Sequence, residues 1–218
     1  MNPGADRLPR RRDEARALFR NAILESAEAV FAERGFHGAR IQDIAERARI
    51  AVGTVYNHFE HKDEVLVALL EERAEELLHQ LKPLPADPKQ FPARLAVRVA
   101  RVLGYVQRHR AFFVIATEHG LFTSGVPSGA PASKRRLRQL EKFRAVFHAL
   151  VQEGVASGEL ERLKGDALVR FLGGTIRAFV LSSLAEETAD VDEQARTVVD
   201  LFLHGAGKRK TRRAAGSR

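Results

Sequence analysis

The sequence of 218 residues contains no cysteine. This absence excludes disulfide bonds, thiol redox sensors and zinc sites with cysteine ligands. No apolar run approaches the roughly 20 residues that a membrane-spanning helix needs, and the first residues do not form a signal-peptide pattern. Segments with the two-residue period of β-strands are also missing. We therefore expect a cytoplasmic protein built from helices.

The patterns that usually identify an enzyme or a cofactor site are missing too. The sequence has no Ser-His-Asp arrangement, no phosphate-cradling glycine loop and no dinucleotide-binding fingerprint. A di-iron site would need two copies of its Glu-x-x-His motif, and the sequence contains one. An acid–base pair at Glu118 and His119 is an open but weaker alternative to a histidine that is satisfied at a helix end. No metal, cofactor or catalytic centre is expected from the remaining pairs, Glu76 with His79 and His58 with His61.

Apolar residues recur at three- and four-residue steps through most of the chain, which is the period of an amphipathic helix. In the first helix, Leu18 and Phe19 belong to this stripe, and Gly35 follows as a C-terminal glycine. A stretch rich in Gly, Ser and Pro from Gly120 to Pro131 predicts a loop. The predicted helices are Asp13–Arg34, Arg40–Ala48, Val52–Phe59, Lys62–Leu81, Phe91–His109, Arg110–Glu118, Ser133–Glu153, Asp166–Ala185 and Asp192–His204, the last two starting at acidic residues.

The stretch from Phe36 to Leu66 contains two short helical segments that are separated by only three residues, Arg49-Ile50-Ala51. Helices joined so closely cannot lie antiparallel and must cross steeply, which predicts a helix-turn-helix. Ala45 on the first segment is small enough to let the second approach. Gly53 and Thr54 occupy the first turn of the second segment, where a helix that reads a DNA groove places its contact residues.

The motif Gly-Thr-Val-Tyr-x-His-Phe at Gly53–Phe59, with Ile44-Ala45 before it and Lys62 and Leu66 after it, resembles the DNA-binding domain of the TetR family of bacterial repressors. The resemblance covers roughly the first third of the chain. It implies an all-α protein of about nine helices, in which three DNA-binding helices precede a larger region that binds a ligand and forms a dimer. The expected domains are a disordered basic arm at 1–12, a DNA-binding domain at 13–62, a ligand-binding and dimerisation domain at 63–207 and a disordered basic tail at 208–218.

The sequence departs from the family pattern at three places. Arg49 stands in the turn where the family usually has glycine, and a positive φ there would be less favourable for arginine than for glycine. Ala51 stands where the family usually has serine at the start of the reading helix, and the loss of such a cap typically costs about 1 kcal/mol. Ala39 and Arg40 replace the usual pair of threonines. The hydroxyl contacts of the family therefore do not carry over to these positions.

The resemblance implies that several side chains of the motif position the protein on DNA phosphates. Lys62 opens the fourth helix, so its amide and its ammonium are expected to face one phosphate. Arg40 is a further expected phosphate or base contact, and Val52 is expected to press on a thymine methyl group. The predicted DNA-binding residues are Arg40, Ala51, Val52, Gly53, Thr54, Tyr56, Asn57, His58 and Lys62.

Positive charge is concentrated at the two ends of the chain. Of the net charge of +8, residues 1–12 supply +3 and residues 208–218 supply +6, which leaves −1 for the body. The body is therefore not a general polyanion binder, and any DNA recognition by it depends on the placement of a few charges. The N-terminal arm directly precedes a DNA-binding helix and is expected to contact phosphate or the minor groove. For the C-terminal tail, a solvated end is an equal alternative.

Nine of the thirteen phenylalanines follow residue 90, and for any single one a place in the core is the simpler explanation. In the TetR family, however, the corresponding helices enclose an apolar ligand cavity with a few polar groups. Arg177 lies among apolar neighbours, so its charge needs a partner if it is buried. The resemblance implies a hydrophobic effector that carries a carboxylate or a thioester-linked acyl group. Its predicted contacts are Phe112, Phe113, His119, Phe122, Phe143, Phe147, Phe171, Thr175 and Arg177.

The eighth predicted helix contains Gly173 and Gly174 at its middle, and two helix-breaking residues there need a packing reason. The resemblance supplies a dimer interface, formed by the last two helices and their mates in a second copy. The alternative is that the glycines admit a neighbouring helix of the same chain. The predicted residues of the interface and of the core beneath it are Leu168, Leu172, Phe179, Val198, Leu201 and Phe202.

These patterns predict a DNA-binding repressor that binds a palindromic operator as a dimer and is released by a hydrophobic small molecule. A regulator of the same fold that responds to no small molecule is the alternative within this class. A small helical enzyme or a helical interaction protein is the alternative from another class. The helix-turn-helix favours a regulator, because an enzyme has no reason to place Gly-Thr-x-Tyr on a short helix after a three-residue turn.

Overall fold

The computed structural model describes residues 7–118, 131–163, 166–185 and 190–206. The chain is all-α in these ranges, which confirms the predicted fold class. Most helix ends agree with the prediction within two residues, whereas α1 and α7 extend further. The loop expected at residues 120–131 lies almost wholly outside the described residues. The helices are α1 Arg7–Gly38, α2 Ile41–Ala48, α3 Val52–Tyr56, α4 Lys62–Gln80, α5 Phe91–Arg108, α6 Arg110–Glu118, α7 Pro131–Ala156, α8 Ala167–Ala185 and α9 Val191–Ala206.

The chain divides into two compact units. Unit 1 takes its described residues from Met1–Glu75 and His109–Lys134, so it contains α1, α2, α3, most of α4, and α6. Unit 2 takes its described residues from Glu76–Arg108 and Arg135–Arg218, so it contains α5, α8, α9 and most of α7. The chain therefore passes between the units inside α4, between α5 and α6, and inside α7.

The core of unit 1 forms where α1 packs against α2 and α6. Phe31 of α1 is fully buried, and its ring centroid lies 5.4 Å from that of Phe36. Gly35 kinks α1 with a φ of 66°, a conformation that glycine adopts without strain. Leu18 and Phe19 of the predicted stripe lie outside this core, because they are 71% and 44% exposed. The buried stripe of α1 begins one turn later, at Ile23.

A buried ion cluster joins three elements of unit 1. The Arg73 guanidinium on α4 donates to Oε2 of Glu28 on α1 through Nε (3.0 Å) and Nη2 (2.5 Å). Nδ1 of His109, just before α6, lies 2.9 Å from Oε1 of the same carboxylate. Removing one partner of such a group leaves an uncompensated charge in a poorly solvated place. The cluster therefore fixes α1, α4 and the start of α6 in one register.

In unit 2, α5 packs against α8 and α9, and a second ion cluster anchors the proline-rich connection before α5. The Asp87 carboxylate, only 6% exposed, accepts hydrogen bonds from the Leu84 amide, Arg98 and Arg101. The Leu84 amide and then the two arginines lower the pKa of Asp87 to about 2, although burial acts in the opposite direction. Asp87 is therefore charged at any physiological pH and holds this connection on α5.

The start of α9 is capped by a residue that the periodicity did not indicate. Oδ1 of Asp190 accepts hydrogen bonds from the backbone amides of Asp192 (2.9 Å) and Glu193 (3.1 Å). These amides have no carbonyl partner inside the helix, so the carboxylate satisfies them. The helix accordingly begins at Val191 rather than at the predicted Asp192.

Among the described residues, α8 alone is long and apolar enough to cross a membrane by length and composition. It reaches that threshold although it contains Arg170 and Arg177. Its buried side chains, among them Leu172 and Ile176, belong to a helix that packs on α5 and α9. A single such helix is weak evidence for a membrane protein.

Candidate DNA-binding surface and regulatory residues

Two short helices and a tight turn form the candidate DNA-binding surface in unit 1. Ile44 and Ala45 of α2 and Val55 of α3 are buried where these helices meet. The Ile50 amide donates to the Ala45 carbonyl (3.0 Å) and the Arg49 amide to the Glu46 carbonyl (3.1 Å), which closes the turn. The predicted helix-turn-helix is therefore present.

The turn contains the strain that the sequence suggested. Arg49 has a φ of 56° and a ψ of 42°, the left-handed helical conformation. A side chain with a Cβ atom pays about 1–2 kcal/mol for this conformation, which glycine would avoid. Within the described chain, Arg49 is the one residue other than glycine with a positive φ.

The first turn of α3 presents small and polar groups outward. The extended Ala51 precedes the helix without a side-chain cap, and its carbonyl accepts a hydrogen bond from the Thr54 amide (2.8 Å). A Cβ atom at Gly53 would meet nothing within 4 Å. The packing of the protein itself therefore does not require glycine there, and the open space suits the close approach of another molecule. The exposed residues are Ala51, Gly53, Tyr56 and Asn57, and the half-buried ones are Val52, Thr54 and His58.

The start of α2 is held by an acidic side chain, which leaves the Arg40 side chain exposed. The Arg40 amide donates to Oδ2 of Asp43 (2.9 Å), which is one half of a capping box. The other oxygen of Asp43 lies 2.6 Å from Nη1 of Arg34. Arg40 thus starts the helix through its backbone, and its guanidinium remains on the surface with the groups of α3.

Lys62 does not present its ammonium group to solvent in the way that the resemblance implied. Its Nζ donates to the carbonyls of Phe36 (2.6 Å), Ala39 (3.0 Å) and His37 (3.3 Å), and it lies 4.5 Å from the centroid of the Phe36 ring. An ammonium has three N–H donors, and these three carbonyls engage all of them. The phosphate contact by the Lys62 ammonium stays a prediction, and in this structure the group joins the start of α4 to the α1–α2 connection.

The surroundings of His58, which lies just after α3, change the pKa of its imidazole. Partial burial lowers its pKa, and the positive charges of Arg16 and Arg20 on α1 lower it further. Its imidazole is therefore neutral at pH 7. A neutral imidazole N–H can still donate a hydrogen bond to a phosphate oxygen.

Comparisons with known proteins agree with this geometry. The family model of the bacterial regulatory proteins of the tetR family matches residues 23–69, which include α2 and α3. The fatty acid metabolism regulator protein of Bacillus subtilis is 23% identical over 193 residues, 84% of this chain and 93% of that protein. The transcriptional repressor DhaR of a Mycobacterium species is 27% identical over 188 residues, 85% of this chain and 92% of that protein.

A solved structure has the same fold. The transcriptional regulator FadR of Bacillus subtilis, in complex with stearoyl-CoA, superposes with a TM-score of 0.70 at 22% identity and covers 84% of this chain and 97% of that one. Residues 23–69 therefore match the DNA-binding domain of the TetR family. The chain is a DNA-binding transcriptional regulator and not an enzyme.

The described residues that are expected to bind an effector belong to both units. Phe112 and Phe113 of α6 are buried in unit 1, whereas Phe143 and Phe147 of α7 are half-buried in unit 2. The expectation that these four residues line one cavity stays a prediction. His119 and Phe122 lie outside the described residues.

The effector residues expected on α8 face solvent or are already satisfied. Phe171 and Arg177 are exposed, so the condition under which Arg177 would need an acidic ligand is not met. The Thr175 hydroxyl donates to the Phe171 carbonyl (2.8 Å) within the helix. A cavity of about 240 Å³ between α7 and α8 includes none of the predicted effector residues in its lining. It is also smaller than a typical ligand pocket.

The residues expected at a TetR-type dimer interface separate into two groups. Leu168, Leu172, Val198 and Phe202 are buried within unit 2 and form the core beneath the surface. Leu201 is 52% exposed and Phe179 is half-buried. Gly173 faces Phe147 of the same chain, whereas a Cβ atom at Gly174 would meet nothing within 4 Å.

An apolar surface that the sequence analysis missed runs along α8. We call it the α8 stripe: Phe171, Gly174, Ala178, Leu181 and Ala185, all exposed. These residues are three and four positions apart, so they lie on one face of the helix. The spacing can be read from the sequence. The buried face of α8 is equally apolar, however, so the sequence alone does not show which face is exposed. Only the burial of Leu172 and Ile176 shows which face is left uncovered.

Proposed function

We propose that the protein is a ligand-responsive repressor of the TetR family that binds a palindromic operator as a homodimer in the cytoplasm. The proposal of DNA binding is supported by the helix-turn-helix, in which the first turn of α3 faces solvent. Repression is supported by the name of the relative DhaR, a transcriptional repressor. Unit 1 would hold the operator, and unit 2 would hold the dimer interface and the effector.

The α8 stripe supports the homodimer. Its five exposed residues are apolar or glycine, and the 3-4-3-4 spacing is that of helices that pack side by side along a seam. Gly174 in the stripe would let a partner helix approach closely. Leu201 on α9, the helix that packs against α8, is a further exposed apolar residue. A twofold dimer of this kind would read half-sites that are one helical turn of DNA, ~34 Å, or a multiple of it apart.

The proposed effector is a hydrophobic molecule that carries an acyl chain. One relative is named for fatty acid metabolism, and the solved FadR structure contains stearoyl-CoA. In this chain, Phe143 and Phe147 are the predicted effector residues of α7, and both are half-buried in unit 2. A ligand that binds α7 would shift the protein between states only by its difference in affinity for them.

Two measurements test this proposal. An operator is first selected from random DNA by the purified protein, and the absence of any enriched palindrome would contradict the repressor. Thermal stabilisation is then measured with fatty acids, acyl-CoA esters, aromatic acids and lipophilic cations. We expect long-chain acyl compounds to stabilise the protein and to release the selected DNA. A protein that binds its palindrome but responds to none of the panel would be the ligand-independent regulator instead.

A further inference from the structure

One face of the end of α7 borders the cavity of about 240 Å³ in unit 2, which we call the α7–α8 cavity. The segment after α7 and the start of α8 form its other walls. Four residues of α7 line it at three- and four-residue steps, so they share one face of the helix. These residues are His148, Val151, Gln152 and Val155.

The inner side of the α7–α8 cavity is apolar. Val151 of α7 and both Leu168 and Val169 of α8 are buried there, and Leu163 adds an exposed apolar side chain at the opening. An apolar cavity of about 150 Å³ has room for benzene. In the same proportion, the α7–α8 cavity has room for about ten non-hydrogen atoms. It is too small to enclose the long acyl chain of the proposed effector.

The polar part of the lining leaves one positive charge available to a ligand. His148, Gln152 and Arg162 are exposed at the rim, and within the described ranges none of them makes a hydrogen bond or an ion pair. Asp166 also lines the cavity, but its carboxylate is paired with the Arg144 guanidinium of α7. Arg144 therefore balances the charge of Asp166, whereas the charge of Arg162 has no acidic partner among the described residues.

The start of α8 favours the same kind of ligand. The Asp166 carbonyl accepts a hydrogen bond from the Arg170 amide (2.9 Å), which begins the helix at the wall of the cavity. Leu168 and Val169 consequently lie in its first turn, where the positive end of the helix dipole stabilises negative charge. An apolar interior, a free guanidinium and a helix start together suit a small anion with an apolar body.

We propose that the α7–α8 cavity binds a small carboxylic acid whose body is one aromatic ring or a short branched chain. Arg162 binds the carboxylate with paired N–H donors, and Gln152 and His148 add further donors. The apolar body packs on Val151 and Leu168. The described lining contains none of the predicted effector residues, so this site is additional to that of the acyl effector. A bound acid joins the end of α7 to the start of α8 and stabilises unit 2.

The test uses benzoate as the probe and benzamide, its neutral counterpart, as the control ligand. Both are titrated into the full chain without DNA, and NMR of labelled valine and leucine methyl groups gives the dissociation constant and the location. We expect benzoate to shift the methyl signals of Val151, Leu168 and Val169. Because a charged hydrogen bond is lost with benzamide, benzoate should bind about tenfold more tightly.

Two matched variants test the role of the guanidinium. Arg162→Gln should weaken benzoate binding about tenfold and leave benzamide binding unchanged. Arg196→Gln removes an exposed arginine of α9 in the same unit and should bind benzoate as wild type does. Circular dichroism should show the wild-type melting temperature for both variants, since both positions are exposed.

Three results would overturn the proposal. Equal affinity of wild type and Arg162→Gln for benzoate, or of wild type for benzoate and benzamide, would exclude a carboxylate site at Arg162. Methyl shifts confined to other residues would exclude the cavity as its location. Competitive displacement of benzoate by a long-chain acyl-CoA would mean that the cavity belongs to the effector site. DNA is absent from every measurement, so the outcome is independent of the proposed repressor function.

Discussion

At the scale of single residues, Lys62 shows how one side chain can stabilise a DNA-binding surface through contacts inside the protein. Its ammonium engages three carbonyls between Phe36 and Ala39 and lies over the Phe36 ring. These carbonyls follow the Gly35 kink and lead into α2. Lys62 therefore sets the angle at which α2, and with it α3, leaves α1.

We predict that Lys62→Met lowers the free energy of unfolding by about 2 kcal/mol. The variant keeps the aliphatic stem but loses charge-assisted hydrogen bonds and a cation–π contact. Urea denaturation followed by circular dichroism measures the loss, and Lys82→Met, at an exposed lysine, is the control. If stability is unchanged and the slope of log K for DNA binding against log salt becomes shallower, the Lys62 ammonium binds a DNA phosphate instead.

The left-handed backbone of Arg49 predicts that a substitution there stabilises the protein, whereas Lys62→Met destabilises it. Arg49→Gly should raise the free energy of unfolding by about 0.5–1 kcal/mol, because the relief of the left-handed strain exceeds the added entropy of the unfolded chain. Gly35→Ala is the matched comparison, since its φ of 66° disfavours a Cβ atom although the space around it is open. Chemical denaturation should show stabilisation for the first variant and destabilisation for the second. Destabilisation by Arg49→Gly would mean that the arginine side chain makes a contact that outweighs its backbone strain.

At the scale of elements, a close approach at Gly154 fixes α7 in unit 2. An added Cβ atom there would lie 2.5 Å from Cζ of Phe91 and 2.6 Å from Cδ1 of Leu160, both buried. The end of α7, the start of α5 and the segment after α7 therefore meet at one glycine.

We predict that Gly154→Ala destabilises the protein by about 1 kcal/mol. Overpacking typically costs 1–3 kcal/mol and is offset in part by the higher helix propensity of alanine. Gly173→Ala is the control within α8, because its Cβ atom would meet Phe147 at an ordinary 3.9 Å. The melting temperature should fall for the first variant and should not fall for the second. If both variants melt above wild type, Phe91 and Leu160 can move aside and Gly154 is not required.

The helices could be predicted from the sequence because their signals are local. Periodicity, caps and the Gly53–Phe59 motif gave the all-α fold and the helix-turn-helix. What the sequence could not show depends on tertiary neighbours. Leu18 and Phe19 fit the helical period but are exposed. Lys62 matches a phosphate-binding position, yet carbonyls 23 to 26 residues away engage its ammonium.

At the scale of the whole molecule, the α8 stripe decides how the dimer can be tested. Leu172 was predicted for the interface or the core beneath it, and it is fully buried. Leu172→Glu would unfold unit 2 and could not report on the interface alone. Leu181, 39% exposed on the stripe, is the better position.

We predict that Leu181→Glu produces a folded monomer that binds the operator at least tenfold more weakly. A charge in an apolar seam is poorly solvated, and a palindrome needs two linked reading helices. Leu84→Glu, at an exposed leucine before α5, is the control and should stay dimeric. Sedimentation measures the oligomeric state. A dimeric Leu181→Glu protein would exclude the stripe from the interface.

The division of the chain into units has a consequence for biosynthesis and for engineering. The DNA-binding unit is not a continuous cassette, since α6 belongs to it although α5 of unit 2 is made in between. While α1 to α4 emerge from the ribosome, the face of α1 that α6 will cover stays open until Phe112 and Phe113 have been synthesised. A hybrid regulator that takes only residues 1–75 from this chain would contain the reading helix, but the apolar face of α1 that α6 covers would be left open. A working graft has to include the α6 segment of the same parent.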